Sequence, residues 1–230
     1  MIVYGRNPVR EALRGRRKVE RVWASPGAGR AEWLRGIAVE QVDDAELERL
    51  CGSPDHQGIC AEAGPYPYAD PASLLVAEDA LVLCLDQVQD PRNLGAICRV
   101  AESAGAAGVV IPERRSAEVT PVVCKASAGA VEHLPIARVR NAADWLAEAK
   151  AAGAWVYGAS ADGVPYERPD YTGKVVLVLG SEGRGLRPRV VQACDELVAL
   201  PMRGRVESLN VSAAAAALVY GVLQFRSQRS

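Results

Sequence analysis

Residues 175–186 read VVLVLGSEGRGL, five apolar residues followed by a segment with three glycines. The apolar run is typical of a strand buried on both faces of a parallel sheet. The glycines permit a turn whose backbone approaches a ligand closely, although a plain tight turn is the alternative. Neither a dinucleotide fingerprint nor a phosphate-binding loop is present, because G-x-G-x-x-G and Gly-Lys-Ser/Thr are both missing. The stretch predicts a ligand site at the carboxyl end of a buried strand.

Strands and helices alternate around this stretch from about residue 79 onward. Further strands are predicted at 80–85, 108–111, 134–139 and 154–158, and helices at 93–104, 141–152 and 208–225. Such alternation is typical of a mostly parallel sheet with helices on both faces. The predicted fold class is therefore α/β.

A smaller α/β unit is predicted for residues 1–64. Asn7 and Pro8 are typical of a helix N-cap and first turn, and Asp43 with Glu46 resembles a capping box. Strands are predicted at 19–24 and 56–61. These elements suffice for a small separate domain.

Three prolines in seven residues, at positions 65, 67 and 71, predict an extended, turn-rich linker. The predicted organisation is an N-terminal domain at 1–64, a linker at 65–78 and a larger domain at 79–230.

The charge distribution points to a polyanionic partner although the net charge is only −1. Residues 6–35 carry nine basic and three acidic side chains, whereas residues 36–64 carry one basic and seven acidic. A lopsided small domain can present a basic face to phosphates. A solvated surface with chance clustering is the alternative.

Several classes of protein are not expected. No run of about 18 apolar residues occurs, and the N-terminus has no apolar segment of an export signal, so we expect no membrane partner and a cytoplasmic location. The six cysteines form no C-x-x-C pair and only two histidines are present, so we expect no metal. Cys60, Cys84, Cys98 and Cys124 lie among apolar neighbours and are predicted to be buried thiols.

Two further stretches carry polar residues next to predicted strands. Residues 86–99 read DQVQDPRNLGAICR, where Asn93 is predicted to cap a helix whose N-terminus, beside Arg92 and Arg99, favours an anion. Residues 200–214 read LPMRGRVESLNVSAA, a loop with Ser208 and Asn210 that leads into a helix of small residues. A capped helix with a surface arginine is the alternative for the first stretch.

In this order and spacing the three stretches resemble motifs 1, 2 and 3 of the SpoU/TrmH branch of the SPOUT RNA methyltransferases. Residues 4–13 (YGRNPVREAL), 56–58 (HQG) and 125–130 (KASAGA) are similar to the RlmB-like members, which are 23S rRNA guanosine 2′-O-methyltransferases. The resemblance implies a trefoil knot in the catalytic domain, a ribosomal-protein-like RNA-binding domain before it, and a homodimer with the C-terminal helix in the interface.

The resemblance also implies S-adenosylmethionine as cofactor, bound between the motif 2 and motif 3 loops. The cofactor-binding residues that it implies are Leu179, Gly180, Glu182, Gly185, Leu200, Met202, Ser208 and Leu209. The implied catalytic residues are Asn93, Arg99, Glu182, Ser208 and Asn210, and the RNA-binding residues are Arg6, Arg10, Arg92 and Arg99.

Arg99 is the central catalytic residue by this resemblance. Because the pKa of an arginine lies above about 12, it is a poor general base. We expect Arg99 to hold the substrate phosphate and hydroxyl, with a phosphate oxygen helping to take the proton. Glu182 is expected to position Arg99 or the ribose. Alternatives are a tRNA guanosine methyltransferase, an antibiotic-resistance rRNA methyltransferase, and a non-catalytic RNA-binding or ribosome-assembly protein of the same fold.

Overall fold

The computed structural model describes residues 1–205 and 208–229. In the first unit, four strands form a sheet of order β1-β4-β2-β3, with two helices packed on it. Its elements are β1 (Ile2–Tyr4), α1 (Arg6–Arg14), β2 (Val19–Ala24), β3 (Glu40–Gln41), α2 (Asp44–Cys51) and β4 (Ile59–Ala63). The strand predicted at 56–61 is therefore found as β4, which begins and ends later in the chain.

The second unit is a six-stranded sheet of order β10-β8-β9-β5-β6-β7 in which all neighbours are parallel. Its first elements are β5 (Leu81–Asp86), α3 (Pro91–Ser103), β6 (Gly108–Pro112), α4 (Pro121–Ala126), β7 (Ile136–Val139) and α5 (Ala142–Ala151). They are followed by β8 (Trp155–Pro165), β9 (Val175–Gly180), α6 (Pro188–Ala193), β10 (Glu196–Ala199) and α7 (Val211–Ser227). The predicted fold class is confirmed, and the trefoil knot stays a prediction.

The apolar run of β9 is buried on both faces of the sheet, as its composition predicts. Val175, Leu177 and Leu179 belong to the core shared with α3, α4 and α7. Val176 and Val178 belong to the core shared with α5 and α6. The period-two alternation of a strand explains this division. Helices cover both faces, so the strand ends are the part of the sheet left open to a ligand.

Helix starts agree with the sequence at two caps and differ at two. Asp43 accepts from Glu46 N at 2.8 Å, and Asn141 accepts from Ala143 N at 3.0 Å, as predicted. Helix α1 begins one residue after Gly5, so Asn7 lies inside its first turn. Asp90, not Asn93, caps α3, and accepts from Arg92 N at 2.8 Å. The carboxylate of Asp90, directly before Pro91, explains the second difference, because it can cap the helix one turn earlier.

The segment predicted as a linker packs against the second unit. Tyr66 Oη donates to Val131 O and Leu134 O, both at 3.0 Å. Burial raises the pKa of Tyr66, so the hydroxyl stays protonated and remains a donor. Further along, Ala69 N donates to Ile136 O at 2.8 Å beside the edge strand β7. The domain boundaries stay a prediction, but this segment is held at several points.

The four cysteines predicted to be buried are all buried thiols. Burial raises the pKa of Cys124 to about 11, and it also raises the pKa values of Cys84 and Cys98. These three thiols are therefore protonated near neutral pH and serve as packing groups. Within the described ranges, no helix is long and apolar enough to cross a bilayer.

Candidate active site

Three side chains from the three motif stretches meet in one hydrogen-bonded network. Asn93 Nδ2 donates to Glu182 Oε1 at 3.0 Å, and Asn210 Nδ2 donates to the same oxygen at 2.6 Å. Asn210 Nδ2 also lies 3.0 Å from Asn93 Oδ1. Because Asp90 caps α3, the Asn93 side chain is available for this network. The three groups fix one another's orientation and leave the second carboxylate oxygen of Glu182 for a further partner.

The network borders a pocket of about 250 Å³ at the carboxyl edge of the sheet. The lining residues come from the loop after β5, the start of α3, the turn after β9 and the first residue of α7: Gln87, Val88, Gln89, Asp90, Asn93, Ser181, Glu182, Arg184 and Val211. The lining is mostly polar and includes one arginine and two carboxylates. A pocket with these convergent donors and acceptors suits a sugar or a sugar phosphate.

The turn after β9 is packed backbone against backbone. A Cβ on Gly180 would collide with the backbone of Gly185 and would lie 2.6 Å from Leu186 N. Gly185 has a φ of +64°, a conformation that favours glycine, and its N donates to Ser181 O at 2.9 Å. The glycines therefore serve a tight turn, as the sequence indicates.

A buried carboxylate anchors the far end of this turn. Asp86, the last residue of β5, is fully buried and accepts from Arg187 N at 2.9 Å and from Arg187 Nε at 2.7 Å. Charge-assisted bidentate pairs of this kind are strong and directional. The pair fixes the turn of residues 181–187 to the strand beside it. Sequence reasoning did not single out this pair, although an acidic residue at the end of an apolar strand is a usable signal.

A second, more apolar cleft lies beside β8, β10 and α7. It is lined by Ala159, Ser160, Val198, Leu200, Met202, Ser208, Leu209, Ala214 and Leu218. Met202 and Leu209 are 39% and 46% exposed, so the cleft leaves apolar surface open to a ligand. The cleft is thus built from β8, from the end of β10 and residues that follow it, and from the start of α7.

Comparison with known proteins identifies the family. Residues 80–220 match the model of the SpoU rRNA Methylase family, and residues 2–69 match the model of RNA 2′-O ribose methyltransferase substrate binding. The chain belongs to the SpoU methylase family. One relative, a putative TrmH family tRNA/rRNA methyltransferase YacO of Bacillus subtilis, is 39% identical and covers 98% of this chain and 96% of its own.

Solved structures of SpoU methyltransferases align over almost the whole chain. AviRb of Streptomyces viridochromogenes, in complex with AdoMet, has 28% identity and a TM-score of 0.82, covering 99% of this chain and 90% of its own. The AdoMet-bound rRNA methyltransferase of Sinorhizobium meliloti has 27% identity and the same TM-score of 0.82, covering 97% and 86%. This SpoU methylase is therefore an S-adenosylmethionine-dependent RNA methyltransferase.

The second cleft of the SpoU methylase fits the cofactor. Apolar side chains at Leu200, Met202 and Leu209 suit the adenine ring and the methylene groups, and Ser208 supplies a polar atom at the rim. Gly180 and Gly185 do not line this cleft, so their predicted contact with the cofactor stays a prediction. Ala159 and Ser160 of β8 also line the cleft and were missed from the sequence, because the strand there was predicted to end at residue 158.

The predicted site residues divide into two groups in the SpoU methylase. Asn93, Glu182 and Asn210 meet in the network, whereas Ser208 lines the second cleft together with Leu200, Met202 and Leu209. Leu179 is buried in the core at 1% exposure, so only its backbone can face a ligand. The predicted roles of all these residues remain predictions.

The predicted RNA-binding arginines lie outside the pocket. Arg99 is exposed on α3, seven residues from the exposed Arg92, so the two share one helix face. In the described ranges, Arg99 has no hydrogen bond or ion pair with another side chain, and Glu182 bonds Asn93 and Asn210. Arg6 is exposed and Arg10 Nε donates to Glu11 Oε1 at 2.8 Å in the N-terminal unit.

Proposed function

We propose that this SpoU methylase transfers a methyl group to the ribose 2′-hydroxyl of a guanosine in 23S rRNA, and that it does so in the cytoplasm as a homodimer. The observation that carries the reaction is the network of Asn93, Glu182 and Asn210, which joins all three motif stretches at one polar pocket. The pocket and the apolar cleft both reach the start of α7, through Val211 in the pocket and Ala214 in the cleft.

Ribosomal RNA is supported by the organisation of the chain. The match to a ribose methyltransferase substrate-binding domain covers residues 2–69, and a structure described as an rRNA methyltransferase aligns over 97% of the chain. A basic N-terminal helix face agrees with a phosphate-rich partner. The name of the Bacillus relative includes tRNA, so tRNA is retained as an outcome of the test.

The chemistry requires a positioned hydroxyl, a proton acceptor and stabilisation of a developing alkoxide. S-adenosylmethionine supplies an electrophilic methyl group. Asn93 and Asn210 hold the Glu182 carboxylate, whose remaining oxygen is available to accept a hydrogen bond from the ribose. The Arg99 guanidinium holds the substrate phosphate, and a phosphate oxygen helps to take the 2′ proton.

A homodimer agrees with the exposed surface of the last helix. Tyr220 on α7 is 51% exposed, and α7 packs against α3, which carries Arg99. Large exposed aromatic side chains on a helix are typical of interfaces. An interface on α7 would lie next to α3, the helix that carries Arg92 and Arg99.

The test of function is methyl transfer from labelled S-adenosylmethionine to separate transcripts of 23S rRNA fragments and tRNA, followed by nucleoside mass spectrometry. We expect 2′-O-methylguanosine in one fragment of the peptidyl-transferase region and none in tRNA. If the product appeared in tRNA alone, the proposed reaction would stand but the proposed RNA substrate would be wrong. Base methylation instead of ribose methylation would overturn the reaction.

The Arg99→Ala variant is expected to lose about 100-fold in transfer rate, because it removes one charged donor to the reacting phosphate and hydroxyl. The side chain is exposed and unpaired among the described residues, so the fold and the cofactor affinity should be unchanged. Transfer rate at saturating RNA and cofactor binding by calorimetry are the measurements. A variant that loses cofactor binding as well would contradict this division of roles.

A further inference from the structure

A group of exposed arginines lies at the carboxyl edge of the sheet, beyond the pocket. Arg114 and Arg115 follow β6 and Arg140 follows β7. None of the three makes a hydrogen bond or ion pair with any residue that the structure describes. By contrast, the neighbouring Arg138 pairs with Glu118 at 3.1 Å and Arg189 pairs with Asp144 at 3.6 Å. The three guanidinium groups are therefore available to an outside partner.

Arg114 and Arg140 border the same cleft, whose volume is about 400 Å³. Glu113, Asn141 and Asp144 complete its lining. Glu113 N donates to Val139 O at 2.9 Å, which ties the loop after β6 to the end of β7. The carboxylates of Glu113 and Asp144 reduce the local positive charge. Two further arginines offset them, because Arg115 lies two residues after Glu113 and Arg189 pairs with Asp144. The arginines outnumber the carboxylates on this edge.

The loop that carries Arg114 and Arg115 is anchored to the wall of the pocket. Ala117 N donates to Val88 O at 2.8 Å, and Ser116 Oγ donates to the same oxygen at 3.3 Å. Val88 itself lines the pocket beside Asn93. On the other side, Val119 N donates to Tyr68 Oη at 3.0 Å. The two arginines thus project from a loop that is fixed relative to the proposed target site.

The backbone at Arg115 is left-handed, with a φ of +56°. This conformation is unfavourable for a residue with a Cβ and favours glycine. A long charged side chain at such a position, on an exposed loop, indicates that the side chain has a use that offsets the strain.

We propose that Arg114, Arg115 and Arg140 bind the phosphates of the RNA segment that flanks the target nucleotide, an inference that rests on the proposed function. Arginine suits phosphate because its planar fork donates two hydrogen bonds at once. A nucleotide whose ribose occupies the pocket at Val88 and Asn93 would continue its strand over the loop anchored on Val88. Contacts of this kind position the RNA and carry no base specificity.

The test compares two variants that each lose two positive charges. Arg114→Gln/Arg115→Gln alters the proposed surface. The matched control, Lys174→Gln/Arg229→Gln, alters the opposite side, since Lys174 precedes β9 and Arg229 follows the C-terminal end of α7. Binding of a labelled 23S rRNA fragment is measured as a function of salt, and methyl transfer is measured in parallel at limiting and at saturating RNA.

The first variant is expected to bind roughly tenfold more weakly, with a salt slope reduced by about 1 to 2 because fewer counterions are released. Its transfer rate at saturating RNA should equal that of the wild type, whereas its KM for RNA rises. The control should retain wild-type binding and slope. If the two variants bound RNA with the same affinity and the same salt slope, the proposed RNA-binding surface would be wrong. Because the binding comparison needs no turnover, it remains decisive even if the wild type methylates no RNA, a result that would overturn the proposed function alone.

Discussion

A Gly180→Ala substitution is expected to abolish S-adenosylmethionine binding by the SpoU methylase, and with it methyl transfer. The added Cβ would meet the backbone of Gly185 and Leu186 N, and no flexible side chain is available to move away. The turn of residues 181–186 must therefore shift. Three of its residues, Ser181, Glu182 and Arg184, line the pocket, and the resemblance to the family implies Glu182 and Gly185 as cofactor-binding residues. A displacement of about 1 Å at a site can cost about 100-fold in function.

Gly183→Ala in the same turn is the matched control for this prediction. Gly183 has a φ of +75°, but a Cβ there would meet no atom within 4 Å. The control therefore adds backbone strain of about 1–2 kcal/mol without a collision. Titration calorimetry with S-adenosylmethionine, and thermal unfolding of both variants, separate the two effects. If Gly180→Ala bound the cofactor as tightly as Gly183→Ala, the close packing of the turn would not be what shapes the cleft.

The alternation of apolar runs and glycine-rich turns was enough to predict the α/β class and the positions of most strands. Local rules succeeded where the decisive contact is local. Asp43 and Asn141 cap helices through atoms two or three residues away, and the sequence predicts both. The same reasoning failed at α3, because Asp90 and Asn93 are both good capping residues and the choice depends on where Asn93 has a better partner.

The network at the pocket depends on contacts that no local rule contains. Asn93 and Glu182 are 89 residues apart, and Asn93 and Asn210 are 117 apart. The resemblance to the family grouped these residues, but the residues alone did not predict how they meet. In the part of the chain that the structure describes, Glu182 bonds both amides and makes no hydrogen bond or ion pair with Arg99. Tertiary geometry decides which polar groups meet at a sheet edge, and this geometry depends on loop length and strand order.

The junction between the two units was also beyond sequence reasoning, and it carries an ion pair. Arg17 Nε donates to Glu132 Oε2 at 2.9 Å, and a second nitrogen of the same guanidinium pairs with Oε1; each side chain is only 1% exposed. Burial alone would lower the pKa of Arg17, but the hydrogen bond and charge of Glu132 outweigh it and raise the pKa. From the sequence, Arg17 belonged to the basic N-terminal surface.

Arg17→Ala is expected to lower the free energy of unfolding by about 3–5 kcal/mol, because it leaves the Glu132 carboxylate buried without its partner. The guanidinium also donates to Gly64 O at 3.3 Å, so the same change removes a contact at the end of the first unit. Since Arg17 and Glu132 belong to different units, we expect the single unfolding transition to separate into two. Urea denaturation followed by circular dichroism and tryptophan fluorescence measures both effects.

Arg17→Met/Glu132→Leu distinguishes the loss of an ion pair from the loss of packing. Replacing both partners by apolar side chains removes the buried charges together, and such replacements are often neutral or stabilising. The double variant should therefore recover most of the stability lost in Arg17→Ala, with one transition restored. A recovery would mean that the Glu132 carboxylate destabilises the fold only when it is unpaired. It would also mean that apolar contacts suffice to hold the two units together. If Arg17→Ala cost less than about 1 kcal/mol, as an exposed pair would, the junction would not be closed in solution, and the N-terminal unit would reach RNA independently of the active site.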